Sequence, residues 1–225
     1  LNIEADDAIN AVLRIKNLND KEFVDSHYVV FATKNGIIKK TCLEAYSRPR
    51  ANGVNAINIL EGDQVVGVRL TNGHNELLLA NRNGRAIRFN EAELRPMGRV
   101  STGVRGMRLD GGDDEVVGLV CVNDPQTETI MVVSENGYGK RSDVDDYRKT
   151  ARGAKGVKTI SITEKTGRLV AIKVVTDEND LMIINKSGIL IRMKVADVRV
   201  MGRATQGVRL INLTKKNDVI ASVCK

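Results

Sequence analysis

The 225-residue chain has no tryptophan, only three phenylalanines and only four tyrosines. Proteins that read single strands or RNA stack bases on aromatic rings, so this composition weighs against that class. Cysteine is equally sparse. Cys42, Cys121 and Cys224 are widely spaced, with no CxxC or Cys/His cluster. Neither a disulfide framework nor a zinc site is expected, and a reduced, cytoplasmic setting is. The two histidines, His27 and His74, stand alone, and no serine or cysteine nucleophile motif is present, so no catalytic centre is expected. No apolar run approaches the ~18 residues that span a bilayer. The opening "LNIEADDAIN" is neither a signal peptide nor a basic transit segment. With three prolines and no low-complexity linker, nothing divides the chain.

What the chain has is repetition. "TKNGIIKK", "NRNGRAIR", "SENGYGKR" and "NKSGILIR" carry turn glycines Gly36, Gly84, Gly137 and Gly188, which are 48, 53 and 51 residues apart. A second glycine follows each: Gly53, Gly103, Gly156 and Gly207, spaced 50, 53 and 51. Two markers keeping one period indicate a repeat architecture. Apolar β-formers flank each turn, as in "HYVVFAT" and "IIKKT". An Asn-Gly pair between such runs predicts a hairpin with a two-residue type I′ turn. Further strands are expected at "VNAINIL" with "QVVGVRL", "VRGMRL" with "EVVGLVCV", "VKTISIT" with "LVAIKVV", and "VRLINL" with "DVIASV". "CLEAY" and "NEAEL" could each make one helical turn and no more.

Each unit of about 50 residues therefore holds about four strands, which points to blades packed around an axis. The predicted units lie at about 16–70, 71–122, 123–175 and 176–225 of a single domain, 1–225. Residues 1–15 resemble the second half of a unit, so they are expected to be the tail of a further, truncated blade. A lone blade cannot bury two apolar faces. Neighbouring blades should cover rows such as Val29, Phe31, Leu77, Leu79, Ile130, Val132, Met182 and Ile184.

The net charge is +7, and it is distributed unevenly. Seven arginines lie between Arg82 and Arg108 against Glu91 and Glu93, and seven bases lie between Lys140 and Lys158 against three acids. The fourth residue after each turn glycine is basic: Lys40, Arg88, Arg141 and Arg192. Two residues after the second glycine stand Asn55, Arg105, Lys158 and Arg209; four before it stand Pro49, Arg99, Arg152 and Arg203. Repeated around an axis, such bases form a belt suited to a phosphate backbone. The alternative is that they tie blades together or coat a solvated face. "DGGDDE" and "DVDDY" match no complete metal-binding loop and read as turns. The phrases "RPMGRVSTGVRGMRL" and "RVMGRATQGVRLINL" lack the Lys-Ser/Thr ending of a nucleotide loop and open no helix. Two other readings remain open: a propeller-type scaffold whose bases meet an acidic protein, and a metal-dependent enzyme using Asp143–Asp146.

"SENGYGKR", "RFNEAELRPMGR", "STGVRGMRL" and "VMGRATQGVRLINL" closely resemble the C-terminal domain family of DNA gyrase A, shared in more degenerate form by topoisomerase IV. The resemblance covers essentially the whole chain. It implies an all-β β-pinwheel, incomplete at its N-terminus, whose blades exchange strands. Its basic rim would bind duplex DNA and wrap or bend it, without a cofactor or resident metal. Catalysis would lie elsewhere in an ATP-driven topoisomerase that introduces negative supercoils. The implied partners are double-stranded DNA, the rest of the gyrase A protein and the ATPase-bearing gyrase B protein, with the isolated chain monomeric and no membrane involved. The rim bases it implies are Lys39, Lys40, Arg48, Arg50, Arg85, Arg88, Arg99, Arg105, Lys140, Arg141, Arg152, Lys155, Arg192, Arg203 and Arg209. The family's Gln-Arg-Arg-Gly-Gly-Lys/Arg-Gly box is absent. "ARGAKG", Ala151 to Gly156, is a degenerate relative in a later blade, and the box itself is expected upstream.

Overall fold

The structure is a computed structural model that describes residues 8–213 and 218–225. The first seven residues of the predicted truncated-blade tail lie outside the described residues. Those that follow, 8–19, form no strand. Leu13, Ile15 and Leu18 pack against the cluster of Val24, Val29, Phe31 and Leu43.

In chain order the strands are β1 (Tyr28–Thr33), β2 (Ile37–Cys42), β3 (Val65–Thr71), β4 (Glu76–Asn81), β5 (Arg85–Asn90), β6 (Val104–Arg105), β7 (Val116–Val122) and β8 (Thr129–Ser134). They continue as β9 (Tyr138–Asp143), β10 (Val157–Lys158), β11 (Leu169–Val175), β12 (Asp180–Asn185), β13 (Leu190–Lys194), β14 (Val208–Arg209) and β15 (Ile220–Cys224). Four antiparallel sheets result, with orders β3-β1-β2-β6, β7-β4-β5-β10, β11-β8-β9-β14 and β15-β12-β13. Contacts between β3 and β7, β7 and β11, and β11 and β15 set these strands innermost, around a common axis. The outermost strand of each of the first three sheets, β6, β10 or β14, comes from the following repeat.

The exchanged strands are two residues long, although "VRGMRL", "VKTISIT" and "VRLINL" read as longer ones. "VNAINIL" forms no strand. What fixes the short pairing is the second glycine of each repeat. Gly103, Gly156 and Gly207 have φ of +107°, +75° and +80°, a region closed to most side chains. A Cβ on Gly103 would lie 2.5 Å from the Ile38 carbonyl oxygen, and one on Gly207 2.6 Å from that of Gly139. On Gly156 it would press on the Ala86 carbonyl. Gly53 has the same φ, +75°, but nothing within 4 Å.

The hairpin turns differ from the expected two-residue form. Gly36 N–H donates to Thr33 O at 3.0 Å, and the same bond links Gly84 to Asn81, Gly137 to Ser134 and Gly188 to Asn185. These are three-residue loops with the glycine at positive φ, as a turn followed by a bulge requires. The residue before the loop adds a side-chain anchor: Asn81 Oδ1 accepts from Arg85 N at 2.8 Å, and Asn185 Oδ1 from Ile189 N at 2.7 Å. "DGGDDE" completes one of them, because Asp114 accepts from Asn81 Nδ2 and Asn83 N.

Among the described residues helix is limited to Lys21–Ser26, unforeseen and capped by Asp20 Oδ1, and to 3-10 turns at Leu43–Tyr46, Glu91–Glu93, Val144–Asp146 and Val195–Asp197. Among the described residues no helix is long and apolar enough to cross a membrane.

The core lies between sheets. Val30 and Ile38 meet Leu77 and Leu79; Leu78 and Val120 meet Ile130 and Val132; Met131 and Val133 meet Leu181 and Ile183. Consecutive residues of one strand thus enter different cores, as a period of two demands. The same register corrects the fourth row of the predicted core. Leu181 and Ile183 are buried, whereas Met182 is 40% exposed, on a face that no described sheet covers. Because the exchange contact sits on a backbone carbonyl, Gly156→Ala should cost roughly 2–4 kcal/mol and Gly53→Ala about 1 kcal/mol in urea unfolding. Equal losses would refute the exchange contact as the constraint.

Candidate nucleic-acid interface

Five of the bases expected on the rim are interior. Lys39, Lys40, Arg88, Lys140 and Arg141 are at most 8% exposed. The reason is that both faces of these sheets are covered: alternate residues of β5 and β9 face the sheets before and after, while β2 faces the second sheet on one side and the segments around Leu13, Ile15 and Ala56 on the other. Desolvated cations need partners, and each of these has at least one in the following repeat. Lys40 Nζ pairs with Glu91 at 3.1 Å. Arg88 pairs with Glu76 and donates to the carbonyls of Val144 at 2.8 Å and Tyr147 at 3.0 Å. Arg141 Nε donates to Val198 O at 2.6 Å, with Asp177 also engaged. The recurring base four residues after the turn glycine is therefore a stitch to the next 3-10 turn. Only Arg192, in the last sheet, is exposed, and there it pairs with Asp180.

Lys39 and Lys140 occupy the position before that stitch. Lys39 Nζ donates to Ala56 O and Arg99 O, both at 2.5 Å, and to Gly98 O at 3.3 Å. Lys140 Nζ donates to Gly202 O at 2.7 Å and Ser142 Oγ at 3.2 Å. The two Met-Gly-Arg phrases are thus each held from beneath by a buried lysine. Where the intervening unit has Ile87 instead, its loop reads Thr-Ala-Arg. Burial, with Arg99 nearby, lowers the pKa of Lys39 to about 8. Burial lowers that of Lys140 to about 7, with Asp146 opposing the shift and Arg203 adding to it.

A second group is half-buried and repeats one bond. Arg99 Nη1 donates to Asn55 O at 3.0 Å, Arg152 Nη1 to Arg105 O at 3.2 Å, and Arg203 Nη1 to Lys158 O at 2.9 Å. Each guanidinium ties its loop to the outer segment laid down by the preceding repeat. Arg85 acts similarly on Gly156 O at 2.9 Å. For these residues both roles hold geometrically: they join blades and remain partly accessible.

The exposed group is Arg48, Arg50, Arg105, Lys155 and Arg209, together with Arg192. Arg105 and Arg209 sit on outermost strands β6 and β14, and Lys158 stands at the same place on β10. Arg209 lies over the Tyr138 ring and donates to its hydroxyl at 3.0 Å. Lys155 pairs with Asp110, which lowers the carboxyl pKa below its usual value. Arg95, Arg148 and Arg199, exposed immediately after the buried Leu94, Tyr147 and Val198, form a row the sequence reading missed. Its signal was available, since the three recur at the same 53- and 51-residue intervals as the glycines. The loops bearing them cross from the outer edge of one sheet to that of its predecessor.

Antiparallel sheets packed around an axis, the first three each completed by a strand from the following repeat, define the β-pinwheel class of propeller-like domains. A sequence model of the family described as "DNA gyrase C-terminal domain, beta-propeller" matches residues 27–72, 75–123, 128–176 and 179–223. The chain belongs to this family. It is 45% identical over 213 residues to the DNA gyrase A protein of Staphylococcus aureus strain NCTC 8325, spanning 95% of this chain but 23% of that protein. Among solved structures, a DNA gyrase A C-terminal domain superposes with a TM-score of 0.79 at 26% identity, covering 91% of this chain and 67% of that one. The C-terminal domain of a DNA topoisomerase IV gives 0.83 at 30% identity, covering 91% and 63%.

Removing a stitch should strand its buried partners. Arg88→Met is expected to cost about 3–5 kcal/mol, and Arg192→Met, in an exposed pair, less than about 1 kcal/mol, both read by urea unfolding. A second expectation concerns pH. Below about 7 the Lys140 amine is charged in both states, and the folded state carries the full penalty of burying it. Between about 7 and the ordinary value of 10.5 the folded amine gives up its proton first, so the unfolded chain binds more protons and stability gains with pH. The stability of the wild type relative to Lys140→Met should therefore increase from pH 7 to pH 10 in unfolding measurements; a flat difference would refute the assignment.

Proposed function

We propose that this chain binds duplex DNA through the phosphate backbone and bends it along the outer edge of the array. The reading rests on one observation above the others: Arg105, Lys158 and Arg209 occupy equivalent exposed positions on the outermost strands of three successive sheets. A duplex presents phosphates at regular intervals, and cations repeated at one place per sheet meet them without reading base edges. The few aromatic side chains fit backbone contact better than base stacking. Arg95, Arg148 and Arg199 supply a flanking row, and the half-buried Arg99, Arg152 and Arg203 hold the loops between the two.

The chain covers about a quarter of the gyrase A protein it resembles. Within such a protein it would contribute no catalytic group and no cofactor. It would wrap DNA and offer a crossing segment to the cleavage gate, supporting ATP-dependent negative supercoiling with the rest of gyrase A and the ATPase-bearing gyrase B. Its place of work would be the bacterial nucleoid, and the isolated chain would act as a monomer.

Fluorescence anisotropy with unrelated duplex sequences tests this. Log affinity should fall linearly with log salt, by about 0.9 per phosphate neutralised. The triple charge reversal Arg105→Glu, Lys158→Glu and Arg209→Glu should weaken binding equally for every sequence and flatten the slope by about 2.7 units, three phosphates at about 0.9 each. Unchanged affinity and slope in a folded triple variant would overturn the proposal.

A further inference from the structure

The innermost strands carry a feature unconnected with the outer edge. Their pairing registers place Val30 opposite Arg69, Leu78 opposite Val120, Met131 opposite Lys173 and Met182 opposite Cys224. Arg69, Val120, Lys173 and Cys224 are therefore equivalent residues at one level of the axis. The first and third sheets each contribute a cation there. Two cavities of about 410 and 180 Å³ share Arg69 and Lys173 in their walls.

Neither cavity is lined by an aspartate or glutamate. Neither Arg69 nor Lys173 forms an ion pair among the described residues. Arg69 Nη1 has only the neighbouring Val68 carbonyl, at 2.7 Å. The ammonium of Lys225 stands beside the same cavity and donates to Val174 O at 2.6 Å. The carboxylates whose charge reaches Cys121 in the wall are committed elsewhere: Glu91 to Lys40, Thr71 and Asn75, and Glu128 to the N–H groups of Asn123 and Asp124. The Cys121 thiol in the wall supplies no negative charge at neutral pH, because burial pushes its pKa up to about 12.

Burial lowers the pKa of both Arg69 and Lys173, and the positive charge of Arg69 lowers that of Lys173 further. Two like charges held together in a partly desolvated channel repel each other, and an anion between them would convert that repulsion into attraction. The opposite end of the axis shows the contrast. There Lys34 and Arg82 line a cavity that also contains Glu115 and Glu135, and Glu115 lies 2.9 Å from Lys34 and 3.9 Å from Arg82, so both cations have a carboxylate partner within the protein. A guanidinium and an ammonium facing a shared space offer several N–H donors to a tetrahedral oxyanion and complement its charge.

We infer that the axial channel between Arg69 and Lys173 is a binding site for a small oxyanion of the phosphate type, separate from the cationic outer edge.

The test is thermal unfolding of the whole chain in inorganic phosphate against chloride at matched ionic strength. Phosphate at ten times its dissociation constant should raise the Tm by about 3–6 °C over chloride. Lys173→Met and Arg69→Gln should each abolish that difference and, at low ionic strength without phosphate, unfold at a higher temperature than the wild type. Lys173→Arg, which keeps the charge, should retain the response and serves if the other variants fold poorly. Arg209→Glu, on the outer edge, should also retain it. The inference fails if the wild type responds to phosphate no more than to chloride. It also fails if Lys173→Met keeps the response, or if Arg209→Glu loses it.

Discussion

The two-residue strand that each repeat lays against the preceding sheet is the contact on which the rest of this structure depends. It consists of little more than a Val-Arg or Val-Lys pair and the glycine before it. Yet it carries the chain across the outer edge, and it decides which side chains end on that edge. The glycine is obligatory for two coincident reasons: φ is positive, and the neighbouring carbonyl leaves no space for a Cβ. Once the strand is seated, the loop that leads to it must cross between sheets. The half-buried arginines then find the backbone carbonyls of the preceding outer segment within reach.

The buried cations are a consequence of the same arrangement. Sheets sandwiched on both faces have no solvent side to which a strand can turn its polar residues. A lysine or arginine at such a position survives only if its charge is met, and here each reaches a partner in the following repeat, a 3-10 turn for Lys40, Arg88 and Arg141 and a loop carbonyl for Lys39 and Lys140, with Ala56, Glu76 and Ser142 adding contacts from within the repeat to Lys39, Arg88 and Lys140. These groups set the registration of one blade on the next. The cations left for a ligand are those on loops and exchanged strands. Structural and surface cations thus separate by position in the repeat, although both belong to the same arginine-rich phrases.

The repeat itself was plain in the sequence, because glycines at fixed intervals mark turns whose backbone no other residue tolerates well. The hairpins, the innermost strands and the one-turn helices at "CLEAY" and "NEAEL" followed from local pattern. The exchanged strands were overestimated, since "VRGMRL" and its relatives look like long strands while the pairing partner accepts two residues. The helix at Lys21–Ser26 was missed, being a single capped element outside the repeat. The row Arg95, Arg148 and Arg199 was overlooked although its spacing was on view.

What the sequence determined alone was periodicity, strand content and the recurrence of positive charge, because each is a property of residues near one another in the chain. It could not determine which charges face water. Lys40 and Arg192 hold the same place in their repeats, and both follow a turn glycine by four residues. One is buried against Glu91 and the other is exposed beside Asp180. The difference arises because another sheet packs over the first and none among the described residues packs over the second. Burial is a property of the neighbour, and only the tertiary structure supplies the neighbour.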